Sequence, residues 1–153
     1  MTVCFGTPED IASWMNLVRK VSWNFPGLET EEEILEHEKT VLKFISQGRA
    51  ICAKSDNQII GVLLFSRKYN QLCCMAVDPE HRRQHIASAM FEMMLTIADL
   101  NRDLIVSTFR EDDPKGVAPR SFYKSKGFVE GKLVMEYKCP NQIFILHPDS
   151  KKV

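Results

Sequence analysis

Arg82-Arg83-Gln84-His85 stands directly ahead of an apolar-periodic run that begins at Ile86. Helix starts favour acids, because the unpaired N–H groups of the first turn carry a partial positive charge. Basic residues there oppose the dipole, at about 0.3 kcal/mol or more each. The two earlier helices predicted from this sequence open on acids, Glu9-Asp10 and Glu31-Glu32-Glu33. Two explanations fit the exception: an anion held by backbone N–H groups and guanidinium, or a solvated basic turn paired with acids such as Glu80. Tyr123 is a second group with chemistry. A phenol with a pKa near about 10 stays protonated at neutral pH and can give a proton to a leaving group. Taken alone it equally suits a core aromatic with its hydroxyl at the surface. The five cysteines are odd in number and form no C-x-x-C pair. Cys52, Cys73 and Cys74 fall in apolar runs and are expected to be buried, reduced thiols. No His/Cys/Asp set has metal-site spacing, so no metal is expected.

These groups need elements to hold them. Thr7-Pro8-Glu9-Asp10 reads as a helix start, with apolar positions continuing to about Val21. A loop, Trp23 to Gly27, leads to a second helix that starts at Thr30 and stops at Gly48. The period then changes to that of strands: Ala50 to Lys54, Ile59 to Ser66 and Leu72 to Val77, separated by turns at Ser55–Gln58 and Tyr69–Gln71. An amphipathic helix is predicted from about Gln84 to Leu100, with Ile86, Met90, Met93, Met94 and Ile97 at spacings of three and four. A strand from Leu104 to Phe109, a short helix from about Pro119 to Ser125, and strands Val129–Tyr137 and Gln142–Leu146 complete the chain. The order predicts one α+β domain over residues 1–153, layered around a central sheet.

The segment Val77-Asp78-Pro79-Glu80-His81-Arg82-Arg83-Gln84-His85-Ile86-Ala87 resembles the coenzyme-binding motif of the GNAT superfamily of N-acetyltransferases. Val77, Pro79, Arg82 and Ala87 match it; His85 stands where the family usually has glycine. Ser121-Phe122-Tyr123 with Gly127-Phe128 resembles a second family signature. The family often carries asparagine seven residues before this tyrosine, where this chain has Gly116. The resemblance implies a central mixed, mostly antiparallel sheet of six to seven strands, splayed at its middle and flanked by about four helices. It implies an acetyl-CoA co-substrate bound by the main chain of Met75, Ala76 and Val77 and by Arg82, Arg83, Gln84, His85, Ile86, Ala87 and Ser88. It implies Tyr123 as general acid to the leaving thiolate, with the Val77 amide as a candidate for the oxyanion. The reaction implied is direct attack of a primary amine, from a small molecule or peptide, on the thioester. A non-catalytic acyl-CoA sensor or docking module on the same fold is the alternative.

Composition narrows the partners. Of 153 residues, 20 are Lys or Arg and 20 are Asp or Glu, which gives no global reason to expect nucleic acid or a membrane surface. No signal peptide or membrane span is read, and a cytoplasmic location is expected. A homodimer is the assembly that general frequencies favour. The acceptor is expected to meet the first two helices and the last hairpin, where Trp14, Trp23, Phe25 and Glu29 to Glu33 lie. For those acids, service to the helix dipole is the preferred reading over an acidic rim. Glu111, Asp112, Asp78 and His81 are bases by type only, and each reads more readily as a loop residue.

Overall fold

The computed structural model describes residues 1–148. Seven strands form one sheet: β1 (Thr2–Phe5), β2 (Ala50–Ser55), β3 (Gln58–Ser66), β4 (Gln71–Val77), β5 (Leu104–Phe109), β6 (Val129–Glu136) and β7 (Cys139–Leu146). Their order is β1-β2-β3-β4-β5-β7-β6, and only β4 and β5 run parallel. Four helices cover it: α1 (Ile11–Val21), α2 (Glu31–Ser46), α3 (Ile86–Leu95) and α4 (Val117–Ser125). Helices α1 and α2 pack on Cys52, Val62, Leu64 and Ala76 from one face. Helix α3 and Tyr123 of α4 share the other core with Ile51, Leu63, Leu72, Val106 and Phe144.

Local chemistry explains the ends of these elements. Thr30 caps α2 by accepting from the Glu33 N–H at 3.1 Å, and Glu33 accepts from the Thr30 N–H at 3.0 Å, a reciprocal capping box. Asp56 and Asn57 both hold positive φ (51° and 63°), the two-residue turn that a β2–β3 hairpin requires. Helix α3 lies so close on β3 that a Cβ at Gly61 would sit 2.8 Å from the Ile86 side chain. Asn70, buried just before β4, donates to the carbonyls of Asp99 (2.9 Å) and Asp103 (3.0 Å) and accepts from the Asp99 N–H (2.9 Å). It ties the start of β4 to the α3–β5 connection.

Several predicted boundaries move. Strand β1 was not anticipated; it pairs with β2 from Thr2↔Lys54 to Phe5↔Ile51. Helix α3 is shorter at both ends than the run Gln84–Leu100. Thr96 stops it by turning its hydroxyl onto the Met93 carbonyl at 2.6 Å, and the chain then bends toward Asn70. Strand β7 starts at Cys139 rather than Gln142, because the Tyr137-Lys138 turn lets the hairpin pair from its first residue, Glu136↔Cys139. Trp14 is fully buried in the α1 core, with its ring against Gly6, and is withdrawn from any acceptor site.

Candidate active site

The sheet opens at its centre. Strands β4 and β5 pair only at Gln71↔Ile105 and Leu72↔Val106. Beyond that point β4 bends: Leu64 pairs with Cys74 and Phe65 with Leu72, so Cys73 is left over as a bulge. From residue 73 to residue 77 the main chain on the β5 side of β4 has lost its neighbour. Such an edge offers alternate N–H and C=O groups to an extended partner. The gap widens into a cleft of about 750 Å³, whose walls include residues 72–77 of β4, residues 106–109 of β5, the turn before α3, Tyr123 of α4, and Glu136 and Tyr137 at the β6–β7 hairpin.

Asp78 and Pro79 begin a short 3-10 turn, with the Asp78 carboxylate accepting from the Glu80 N–H at 3.0 Å. Arg82 is extended, Arg83 has φ 64°, and His85 is the N-cap of α3 with φ 59° and ψ 25°. The basic residues therefore form the loop that enters the helix rather than its first turn. His85 holds the left-handed backbone for which glycine is best suited, at a cost of about 1 kcal/mol. Ala89 makes the first bond back, N–H to the His85 carbonyl at 3.0 Å. Among the described residues the N–H groups of residues 83 to 88 have no partner within the chain. Glu80 does not pair with the arginines; it takes Lys20 at 2.9 Å. Arg82 and Arg83 are exposed and meet no carboxylate among the described residues. The acid-paired turn is thereby set aside: among the described residues, unpaired N–H groups and two unpaired guanidinium groups stand at the cleft, an arrangement that suits an anion.

Arg82, Arg83, His85, Ile86, Ala87 and Ser88 all line the cleft, as do Met75, Ala76 and Val77; Gln84 is exposed and is not among the lining residues. Tyr123, a lining residue, is buried between Phe122, Phe128 and Phe144. Burial, and secondarily the nearby Cys74 thiol, pushes its phenol above the ordinary range, so it remains a proton donor at every physiological pH. Its hydroxyl makes no hydrogen bond among the described residues.

Other candidates part from the site. Glu31 pairs with Arg19 at 2.5 Å and Glu33 serves the α2 cap, and none of Glu29 to Glu33 lines the cleft. Glu111 and Asp112 are exposed and outside it. Asp78 is spent on capping and on Lys20, 2.8 Å away. His81 does line the cleft, with Nδ1 3.6 Å from Asp78 Oδ2. Cys73, expected to be buried, is exposed because the bulge turns it out of the ladder. Desolvation pushes its thiol up to about 11 and that of Cys74 up to about 12, so neither is a ready thiolate. Sequence reasoning passed over Glu136, Ser107 and Asn141. Ser107 and Asn141 donate to the same Glu136 oxygen, Oε1, the amide at 3.4 Å. Only the pairing of three separate strands brings them together. The one signal in the sequence was a glutamate directly after the apolar run Leu133-Val134-Met135, next to a turn.

The fold has close counterparts. It is similar to a GNAT-family acetyltransferase from Bacillus cereus (21% identity, 94% of each chain covered, TM-score 0.73). It is also similar to YncA from Salmonella typhimurium, solved with its cofactor acetyl-CoA (10% identity, 99% of this chain and 96% of that one, TM-score 0.73). A third is the PaiA N-acetyltransferase from Thermoplasma acidophilum, solved in complex with coenzyme A (16% identity, 93% and 96%, TM-score 0.65). At these identities the likeness shows the fold. Comparison with curated proteins returns no match. Residues 46–130, more than half of the sequence and the stretch that carries the split strands, the basic turn before α3 and Tyr123, match the acetyltransferase (GNAT) domain. The chain is a member of the GNAT acetyltransferase family.

Proposed function

We propose that the protein transfers an acetyl group from acetyl-CoA to a primary amine by direct attack. The observation that carries this reading is that one cleft, along the unpaired β4 edge, holds both a turn of unpaired N–H groups with two arginines and a buried phenol with no hydrogen bond among the described residues. The free N–H groups of residues 83 to 88, with Arg82 and Arg83, suit a pyrophosphate. The unpaired main chain of Met75 to Val77 suits the amide-bearing arm of the coenzyme, which would lie on it as a strand does. An arm so held runs from the turn after Val77 back along β4 and brings its thioester toward Tyr123, which lies near the Cys74 thiol. A β4 amide, that of Val77 or a neighbour, stabilises the developing oxyanion. Tyr123 gives its proton to the leaving sulfur.

Holding both substrates in one cleft supplies much of the rate without a strong base. The cradle's geometry, rather than the histidine side chain, is what the phosphates require, so the departure at residue 85 is compatible with binding. The test is acetyl-CoA binding followed by thiol release. Acetyl-CoA should raise the melting temperature at saturation. Arg82→Ala should weaken binding by about 1–3 kcal/mol, the scale of a hydrogen bond to a charged group. No stabilisation by saturating acetyl-CoA would overturn the reading.

A further inference from the structure

Among the described residues, five basic side chains line the cleft, namely His81, Arg82, Arg83, His85 and Lys115, against a single carboxylate, Glu136. The basic residues come from the loop before α3 and from the turn before α4; Glu136 comes from the far wall, at the end of β6. It is half-buried, and both of its hydrogen bonds fall on Oε1. Among the described residues Oε2 has no partner and no cation pairs with this carboxylate. Its free oxygen can accept from a cation that enters the cleft and supplies the missing counter-charge.

The surroundings specify what supplies it. Tyr137 follows Glu136 and is 75% exposed; Trp23, 68% exposed, and Phe25 face the same cleft from the loop after α1. Tyr137 occupies the first central position of a two-residue hairpin turn at φ 50°, where Asn, Asp or Gly is favoured. A bulky residue there costs stability, so its side chain rather than its backbone accounts for the choice. Its ring packs on Gly27, which lacks the Cβ that would sit 3.1 Å from that ring, and this joins the hairpin to the α1–α2 loop. Aromatic faces around an anionic centre attract an organic cation.

We infer that Glu136 is the acceptor-binding carboxylate, and that the acceptor is a primary ammonium on an apolar or aromatic body, with the ammonium on Glu136 Oε2 and the body against Trp23, Phe25 and Tyr137. This rests on the coenzyme lying along β4. In the reaction, the ammonium gives one proton to Glu136, which releases it to solvent. The neutral nitrogen forms its bond to the thioester carbon and the C–S bond breaks. The thiolate takes the Tyr123 proton, and the second nitrogen proton restores Tyr123.

The experiment uses the full chain, free and loaded with CoA, and titrates 2-phenylethylamine, its neutral analogue 2-phenylethanol and the anion 3-phenylpropionate by calorimetry. The amine binds saturably, and the alcohol binds weaker by about tenfold or more, the scale of one lost charge-assisted contact. The anion does not bind. Glu136→Gln can keep the Ser107 and Asn141 bonds, so the fold is retained; it loses about tenfold in amine affinity. Its acetyl-CoA affinity and melting temperature stay at wild-type values. Tyr137→Ala weakens the amine by about threefold or more. Equal binding of amine and alcohol, no effect of Glu136→Gln, or no saturable amine binding at all would overturn the inference. Failure of acetyl-CoA to bind would fall on the proposed function instead, because the amine titration is also read in the free protein.

Discussion

His85 and Tyr123 divide the residue-scale argument between backbone and side chain. The turn needs residue 85 at φ 59°, and histidine supplies it under strain. His85→Gly should therefore keep or improve acetyl-CoA affinity. His85→Val, β-branched and poorly suited to positive φ, should lose about tenfold or more, the equivalent of roughly 1.4 kcal/mol of added strain. Equal affinity in the two variants would show that the left-handed turn is dispensable. In the proposed reaction Tyr123 acts through its proton. Tyr123→Phe should lower turnover well beyond any change in acetyl-CoA affinity, by about 10²-fold for a general acid. An equal loss in both would assign it a packing role. Because burial holds the phenol above its ordinary range, the alkaline limb of the rate profile should not fall through about pH 9 on its account. Both residues were legible in the sequence through motif spacing. Glu136 was not, since its meaning depends on Ser107 and Asn141 arriving from β5 and β7.

At the scale of elements, the site is a consequence of where pairing stops. Gly61 lets α3 sit down on β3 and so sets the height of the proposed anion site against β4. Gly61→Ala should destabilise the fold by about 1–3 kcal/mol through overpacking and weaken acetyl-CoA binding with it, read by melting and titration. Asn70→Ala should cost about 2–3 kcal/mol, since it removes three hydrogen bonds made by a buried side chain, and urea denaturation measures it. The sequence exposed α2, β2 to β5 and α4 well, because period, caps and turn residues agree there. It misjudged α3, where an apolar pattern outlasted the helix that Thr96 ends. Four residues, Thr2–Phe5, were too short a run to declare β1 without its partner β2. Trp14 looked like a ligand-facing aromatic only until packing removed it to the core.

For the whole molecule, helix α1 is bound to the sheet at both ends by carboxylates. Asp10 meets Lys54 at 2.7 Å and Asp78 meets Lys20 at 2.8 Å. Burial works to raise both carboxyls, but the lysine hydrogen bonds and backbone N–H groups outweigh it and hold them below the ordinary value. A depressed folded-state pKa contributes stability that is present above the unfolded pKa of about 4 and lost as pH falls below it. Acid melting should therefore steepen below that pH, and Asp10→Asn with Asp78→Asn should flatten that limb. An unchanged slope would remove the pairs from the account. The sheet that α1 steadies opens in one place, and the function depends on what enters there. The most direct test is thiol release from acetyl-CoA on adding cationic primary amines, with product mass read in parallel. The expected result is amine-dependent release matched one for one by N-acetylated product, reduced in Arg82→Ala at low acetyl-CoA and strongly slowed in Tyr123→Phe. Acetyl-CoA that binds the cleft yet gives no amine-dependent release with any primary amine would contradict it.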